Sequence, residues 1–452
     1  MVPFKNVIVN GLIMAEDGKK MSKRLKNYPD PSDILQEYGS DALRMYLLSS
    51  QISRTESLKF NSLGVKNMKK DILIPLSNLI NFYKEHSKNY NLMHGNLEKI
   101  IDFKFGINIW VIKEYENIRD RYEKYLEEYN IKLASGELFK LVSLLNGGYV
   151  KLGRNMLKGK NNIEEWTESL FVSKYTIKSI IIDFRAIIPF FCEYQYINFI
   201  DDEFNEESVH LIDKIYKINL KLNEKQKNLY EIFKNTYDIL EGINFMRGNL
   251  GISAKKQLNY IGIIKNADFD LSYIYSESNI LQIEILNIEV QKIIIPIKGL
   301  FFKKYGKSIS EVFNEYTLMN QDEININCNY KGFEINEDMF NISYKINDEK
   351  YTSHEIVKIK NFVLIIDKNH SEKHYYYRKI ASGIQKARKN EGYHVWDKIE
   401  VHWNSCKTTE YNLEDLESKK YIENIIGVEF KRNESLKNIH KIEDLNISLV
   451  KL

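Results

Sequence analysis

Positive charge is concentrated in one short segment, KMSKRLKNYPDP at residues 20–31. Four cations fall within seven residues there: Lys20, Lys23, Arg24 and Lys26. A lysine ammonium acts as a flexible point charge, and Ser22 can donate a hydroxyl hydrogen bond. Such a loop suits a polyanion whose charge grows during reaction, for example a departing pyrophosphate. Because K-x-x-K spacing also arises by chance, an ordinary solvated basic loop is the alternative.

The elements around this loop are predicted from turn and cap signals. Asp17-Gly18 is a strong turn signal just before it. A proline-initiated helix is predicted over residues 31–38, where Gly39 stops it, and a second helix begins at Ser40. The apolar residues 7–14 are expected to supply a strand and wall for a sheet that this chain does not contain.

After residue 61 the chain shows two different patterns of apolar residues. From about residue 62 apolar residues recur every three or four positions, which predicts long helices in an antiparallel bundle, with later members at about 163–185 and 222–247. Beyond about residue 256 the pattern is mixed and indicates a small α/β domain. Its predicted strands are residues 292–297, 361–366 and 398–403. A helix is predicted over residues 374–391, with one apolar face formed by Tyr377, Ile380, Ile384 and Ala387.

Composition limits the class of protein. The chain has 452 residues, 43% of them hydrophobic and 12% aromatic, which excludes a wholly disordered chain. Lys and Arg (65) nearly balance Asp and Glu (62), and only 6 prolines exclude collagen-like architectures. Three distant cysteines, no zinc-like Cys/His cluster and no membrane-length apolar run predict a soluble intracellular chain without a protein-bound metal. The cysteines are Cys192, Cys328 and Cys406.

The residues that flank the basic loop resemble a known family. VNGLIMAEDGKKMSKRLKNYPDP at 9–31, followed by YGSDALRMYLL at 38–48, resembles the signature-loop region of class I aminoacyl-tRNA synthetases, within them the isoleucyl enzymes of the eukaryotic cytosolic type. The family signature is K-M-S-K-S, and residues 20–24 have its arginine-terminated form. Valyl and leucyl enzymes more usually continue as K-S-[KL]-G-N, and a fragment of that type is an alternative.

The resemblance implies a two-step ligase reaction. Isoleucine and Mg-ATP give isoleucyl-adenylate and pyrophosphate, and the acyl group then passes to the isoleucine tRNA. Lys20 and Lys23 would be catalytic, because they would stabilise the triphosphate as adenylate and pyrophosphate separate. Lys23 is expected to contact ATP directly, while Met21 packs the loop and Gly18 lets the backbone turn. The implied ATP-binding set is Lys20, Met21, Ser22, Lys23 and Arg24.

Residues 149–159, YVKLGRNMLKG, resemble the basic helix of the family that faces tRNA. The implied tRNA-binding cations, three and four positions apart on one helical face, are Lys151, Arg154 and Lys158. An ordinary solvated face is the alternative. Gly147-Gly148 predicts a kink or a helix start. Trp110 and Trp166 lie on apolar helical faces, which favours core packing for both.

The resemblance maps the chain onto the C-terminal part of the family. Residues 1–61 correspond to the end of the catalytic domain with its signature loop, 62–255 to the helical anticodon-binding bundle and 256–452 to the small α/β domain. The expected fold class is therefore mainly α. The resemblance also implies a cytoplasmic location.

Part of the ligase machinery has no counterpart in the sequence. It contains no H-I-G-H-type motif or editing region, so the chain is expected to be inactive alone. The alternative is a stand-alone tRNA-binding module without ligase activity. Retention of Lys20 and Lys23 favours the ligase, because a pure binding module has no need of a pyrophosphate loop.

Overall fold

Helices dominate the computed structural model of the chain, 56% of which is helical. The expected mainly α class is therefore confirmed. The chain forms two units, Met1–Lys234 and Asn235–Leu452. The structure describes residues 5–97, 100, 102–199, 206–212, 220–265, 267–368, 370–393, 397–405, 413, 415–436 and 438–451, and Cys406 lies outside them.

The apolar residues 7–14 form less strand than expected. Only β1 (Ile13–Met14) is a strand, and it pairs in parallel with β2 (Leu58–Lys59). Within this chain, the strand expected in residues 7–14 is therefore limited to one pairing of two residues on each strand. Three of the preceding side chains are largely exposed: Val7 at 65%, Val9 at 60% and Leu12 at 72%.

Two helices follow the basic loop with the predicted bounds. α1 (Pro31–Tyr38) begins where the Asp30 carboxylate accepts a hydrogen bond from the Ser32 amide at 2.8 Å. Gly39, with a φ of 89°, ends α1, and α2 (Ser40–Ser49) starts at once. The predicted helix boundary at Gly39 is therefore confirmed.

The described remainder of the first unit is mostly helical, and its longest helices pack side by side. α5 contacts α6 and α8, and α8 also contacts α4 and α9. Trp110 and Trp166 are buried, as predicted. The helices are α3 (Ser62–Met68), α4 (Ile74–His94), α5 (Gly106–Glu127), α6 (Ile131–Ser143), α7 (Arg154–Leu157), α8 (Ile163–Asp183), α9 (Pro189–Phe199) and, ending in the second unit, α10 (Glu224–Asn249).

The second unit begins its sheet where the sequence showed only mixed texture. Its elements are β3 (Gln257–Ile264), α11 (Leu271–Ser278), β4 (Ile280–Leu286), β9 (Glu355–Ile359), β10 (Phe362–Ile366) and β11 (His370–Ser371). The strand order is β11-β3-β10-β9, and β4 pairs with β3 in parallel after the intervening helix α11. The predicted strand at 361–366 is confirmed as β10.

The segment between β4 and β9 forms a smaller substructure around its own apolar core, which includes Phe301 and Tyr316. Its strands pair as β5 with β8 and β6 with β7. The predicted strand at 292–297 is confirmed as β5. The bounds are β5 (Gln291–Pro296), α12 (Lys298–Tyr305), α13 (Ser310–Leu318), β6 (Cys328–Tyr330), β7 (Phe333–Ile335) and β8 (Phe340–Lys345).

A last sheet, of order β13-β12-β15-β14, shares one core with α14 and α15. The predicted helix at 374–391 is confirmed as α14, and the predicted strand at 398–403 as β12. The apolar face predicted for α14 is buried: Tyr377, Ile380, Ile384 and Ala387. The bounds are α14 (Glu372–Asn390), β12 (Ile399–Ser405), α15 (Leu416–Ile426), β13 (Phe430–Arg432), β14 (His440–Ile442) and β15 (Leu445–Lys451).

Arg247 joins several loops of the second unit through main-chain carbonyls. The side chain is 4% exposed. Its Nη1 donates to the carbonyls of Ser253 and Lys256 at 3.2 and 2.8 Å, and its Nη2 donates to those of Ser278 and Asn279 at 2.8 and 3.0 Å. Burial lowers the pKa of Arg247 to about 10. One guanidinium therefore ties the end of α10 to the end of α11.

Replacing this guanidinium should destabilise the second unit. We expect Arg247→Ala to lower the free energy of unfolding by about 2–4 kcal/mol, because four carbonyls lose their donor and a cavity remains. Urea unfolding measures the difference. Lys255→Ala is the control, since Lys255 is exposed close to the same loop and should change stability by less than about 0.5 kcal/mol. Equal midpoints for the two variants would contradict the assigned role.

Candidate active-site loop and nucleic-acid interface

The basic loop leaves β1 through a tight turn. The Gly18 amide donates to the Ala15 carbonyl at 2.9 Å, and the Ala15 amide donates to the Lys19 carbonyl at 2.9 Å. The Asp17 carboxylate accepts from the Lys19 amide at 2.9 Å. Gly18 has a φ of 80°, a conformation that glycine adopts without steric cost. The turn predicted at Asp17-Gly18 is confirmed.

Asn27 closes the loop by bonding to its main chain at two points. Its Oδ1 accepts a hydrogen bond from the Ser22 amide at 2.9 Å, and its Nδ2 donates to the Lys20 carbonyl at 3.2 Å. The chain turns back in between, with Lys26 at a φ of 46°. The backbone of the signature is thus held by a side chain that sequence reasoning missed. The available signal was the tendency of Asn to bond to nearby main chain.

The signature side chains divide by exposure. Lys20, Lys23 and Arg24 are exposed, and none of them forms an ion pair with any residue that the structure describes. Met21 and Ser22 are half-buried. The loop therefore presents unneutralised cations to solvent on a main chain with defined hydrogen bonds. That arrangement can bind a polyanion with little reorganisation of the backbone.

The segment that carries the loop is fastened to the helical bundle by α2. The buried Asp41 carboxylate accepts hydrogen bonds from the Phe190 and Phe191 amides, at 3.3 and 2.6 Å, at the start of α9. Burial raises the pKa of Asp41, and the two amides together with Arg44 oppose that rise. Sequence reasoning missed this contact, since its partners lie about 150 residues apart.

Arg44 holds the main chain just before α9. Its Nη2 donates to the Ala186 carbonyl at 2.9 Å, and its Nε donates to the Ile187 carbonyl at 3.4 Å. Asp41 and Arg44 lie three residues apart on α2. One helix face therefore bonds both to the amides that start α9 and to the carbonyls of the preceding turn.

The cations expected at a tRNA surface lie in an interrupted helix. Lys151 and Arg154 are exposed, whereas Lys158 is half-buried. That these three cations share one helical face stays a prediction. The helix breaks at Gly153, where φ and ψ are −89° and 13°, and α7 continues for only four residues. A Cβ at Gly153 would lie 2.9 Å from the Tyr149 carbonyl oxygen.

The main chain around these cations is anchored from the core. The Tyr149 hydroxyl bonds to Asn108 Oδ1 at 2.7 Å and to the Ser169 carbonyl at 3.1 Å. Trp166 donates its indole N–H to the Leu157 carbonyl at 3.1 Å. The predicted break at Gly147-Gly148 is a π-helical segment, Leu144–Val150. Lys151 and Arg154 therefore project from a fixed backbone.

Two further findings concern the described part of the chain. No three His, Cys, Asp or Glu side chains within it are grouped so as to hold a metal ion. None of its helices combines the length and the apolar character needed to cross a membrane.

Comparison with known proteins matches both parts of the site. The class I tRNA synthetase model (I, L, M and V) matches residues 1–59, and the anticodon-binding domain of tRNA ligase matches residues 108–261. The chain therefore belongs to the class I tRNA synthetases. Within that class it is similar over most of its length to isoleucine–tRNA ligases.

Three curated relatives carry this closer similarity. A probable cytoplasmic isoleucine–tRNA ligase of Enterocytozoon bieneusi is 33% identical over 77% of this chain and 34% of its own length. The cytoplasmic enzyme of Caenorhabditis elegans is 28% identical over 88% of this chain and 37% of its own. The probable cytoplasmic isoleucine–tRNA ligase of Dictyostelium discoideum is 28% identical over 93% of this chain and 41% of its own length. The chain thus spans well under half the length of these relatives.

The junction between α2 and α9 should be sensitive to loss of one carboxylate. We expect Asp41→Ala to lower the free energy of unfolding by about 1–3 kcal/mol, because the first two amides of α9 lose their acceptor. Urea unfolding and hydrogen exchange at the Phe190 and Phe191 amides measure the effect.

A matched variant separates this effect from general loss of charge. Asp33 lies in the first turn of α1 and is exposed, so Asp33→Ala should leave the exchange rates at α9 unchanged. Unchanged exchange in Asp41→Ala would show that the carboxylate does not hold α9.

Proposed function

We propose that this chain is the C-terminal portion of an isoleucine–tRNA ligase. The complete enzyme would form isoleucyl-adenylate and pyrophosphate from isoleucine and Mg-ATP, then transfer the acyl group to the isoleucine tRNA. The observation that carries the proposal is the exposed, unpaired Lys20 and Lys23 on a loop braced by Asn27, within the residues matched to class I synthetases. A cytoplasmic location accords with the names of the relatives.

Adenylation needs cations where negative charge develops. As the bond to the α-phosphate breaks, charge accumulates on the leaving pyrophosphate, and lysines near it stabilise the transition state more than the ground state. Lys20 and Lys23 would supply these charges, with Lys23 in direct contact with ATP. Ser22, Met21 and Arg24 complete the ATP-binding set, and Ser22 Oγ accepts weakly from the Leu25 amide at 3.4 Å, which leaves its O–H to donate.

The helical bundle would bind tRNA. We divide the chain into residues 1–61, the end of the catalytic domain, residues 62–255, the anticodon-binding bundle, and residues 256–452, the small α/β domain. The family match over residues 108–261 supports the bundle as the tRNA-binding part. Lys151, Arg154 and Lys158 would contact tRNA phosphates, which position the nucleic acid without selecting its sequence.

Removal of one signature lysine tests the catalytic part of the proposal. In the complete enzyme that contains these residues, we expect Lys23→Ala to slow isoleucine-dependent pyrophosphate exchange about 100-fold, because transition-state charge loses a preorganised cation. Isoleucine binding should stay unchanged. Lys70→Ala, an exposed cation of the neighbouring helical segment, is the control and should retain the wild-type rate.

Two results would count against the ligase assignment. Wild-type exchange in Lys23→Ala would exclude a role for Lys23 in adenylation. Absence of exchange in the complete wild-type protein would favour a tRNA-binding module without ligase chemistry. Exchange by the 452-residue chain on its own would show that the nucleotide site needs no further polypeptide.

Salt dependence tests the tRNA surface. The isolated chain should bind tRNA with an affinity that falls as salt rises, because phosphate contacts release counterions. We expect the double variant Lys151→Gln, Arg154→Gln to make the negative slope of log affinity against log salt shallower by about 2, one for each lost phosphate contact. Lys124→Gln, an exposed cation of α5, serves as the control. An unchanged slope in the double variant would move the tRNA site elsewhere.

A further inference from the structure

The β1–β2 pairing places a lysine from outside the signature beside Lys20. In register, Met14 pairs with Lys59 of β2, and on its other side Met14 forms an antiparallel bridge with Lys20. Residues paired across strands project from the same face of a sheet. Lys59 and Lys20 therefore flank Met14 on one face, roughly 10 Å apart between Cα atoms, as two strand spacings require.

The Lys59 side chain reaches towards the turn before the signature. A Cβ built on Gly18 would lie 3.0 Å from Lys59 Cε and 3.4 Å from its Nζ. The absence of a side chain at Gly18 is what leaves room for this ammonium. Lys59 thus extends back over the turn that leads to Lys20.

The backbone of Lys59 is fixed from two directions. The Phe60 amide donates to the Met14 carbonyl at 2.9 Å, which completes the strand pairing. On the other side, the Tyr46 hydroxyl donates to the Lys59 carbonyl at 3.3 Å and accepts from the Asn61 amide at 3.1 Å. A cation on such a fixed main chain loses little entropy when it binds an anion.

The charge of Lys59 is not used within the fold. Its ammonium forms no ion pair or hydrogen bond with residues in the described part of the chain, and the side chain is exposed. The two acidic residues of the turn have other contacts. Asp17 approaches the Lys19 ammonium at 3.8 Å, and Glu16 accepts a hydrogen bond from Asn61 at 3.1 Å.

We propose that Lys59 is a further phosphate-contacting residue of this site, which lies on the same sheet face as Lys20 with Met14 between them, and binds the phosphate chain of ATP and the departing pyrophosphate. The inference rests on the proposed function, which places pyrophosphate at the signature loop. It adds a cation that lies 39 positions from Lys20 in sequence and reaches the same face only through strand register. Lys59 supplies a point charge on a rigid element, whereas Lys23 lies on the loop itself.

The test uses the complete enzyme with inorganic pyrophosphate as the varied substrate of the exchange reaction. We expect Lys59→Gln to raise the KM for pyrophosphate about 10-fold, because one charge-assisted contact is lost, while isoleucine binding stays unchanged. Lys59→Arg keeps the charge and should restore most of the affinity. Lys66→Gln, an exposed cation of α3, is the matched control and should leave the KM unchanged.

A second measurement needs only the present chain. Titration with inorganic pyrophosphate should shift the amide resonances of Gly18 and Lys20 in wild type, and Lys59→Gln should weaken that response about 10-fold without changing thermal unfolding. A residue that merely supported the turn would instead lower the unfolding temperature and leave the pyrophosphate response intact, which would overturn the inference.

The outcomes separate the inference from the proposed function. Loss of exchange in Lys23→Ala together with an unchanged pyrophosphate KM in Lys59→Gln would refute the role of Lys59 and leave the ligase proposal standing. Unchanged exchange in both variants would refute the phosphate-binding roles of both Lys59 and Lys23.

Discussion

A buried carboxylate at the start of a helix joins the signature-loop segment to the helical bundle. Asp41 accepts two hydrogen bonds from the first amides of α9, where the helix dipole favours negative charge. Arg44, on the same face of α2, bonds to the carbonyls just before that helix. Such contacts tolerate little displacement, because a separated Asp41 would be left buried without its donors. These polar contacts fix α2 against the start of α9, in addition to its buried apolar side chains Ala42 and Met45.

The loop combines a defined main chain with unneutralised side chains. Asn27 holds the backbone of the signature at Ser22 and Lys20, while the ammonium groups stay exposed. Catalysis of phosphate-bond cleavage benefits from this division, since a charge that is already oriented needs no reorganisation at the moment of reaction. Internal ion pairs would remove that advantage.

Local signals could be predicted from the sequence, and long-range contacts could not. The bounds of α1, the turn at Gly18 and the buried face of α14 all follow from caps, turn residues and a period of 3.6, which depend on neighbours within a few positions. β3 and β4 were missed, because strands acquire their identity from partners distant in sequence.

The same limit applies to the site. The signature lysines were found by local composition and family resemblance. The contacts of Asp41 with α9 depend on a fold that brings residues about 150 positions apart together, and no local pattern reports it. Gly153 was visible in the sequence, but the interruption of the helix between Lys151 and Arg154 was not predicted from it.

The apolar run ahead of β1 exposes hydrophobic surface through which two copies of the chain could associate. Val7, Val9 and Leu12 leave much of their surface in water next to a strand with a two-residue partner. Water-exposed apolar side chains beside a strand edge attract other strands, and two copies of one chain bring identical edges. Self-association through this run would increase with protein concentration by mass action. The solubility of the chain would then depend on these few side chains.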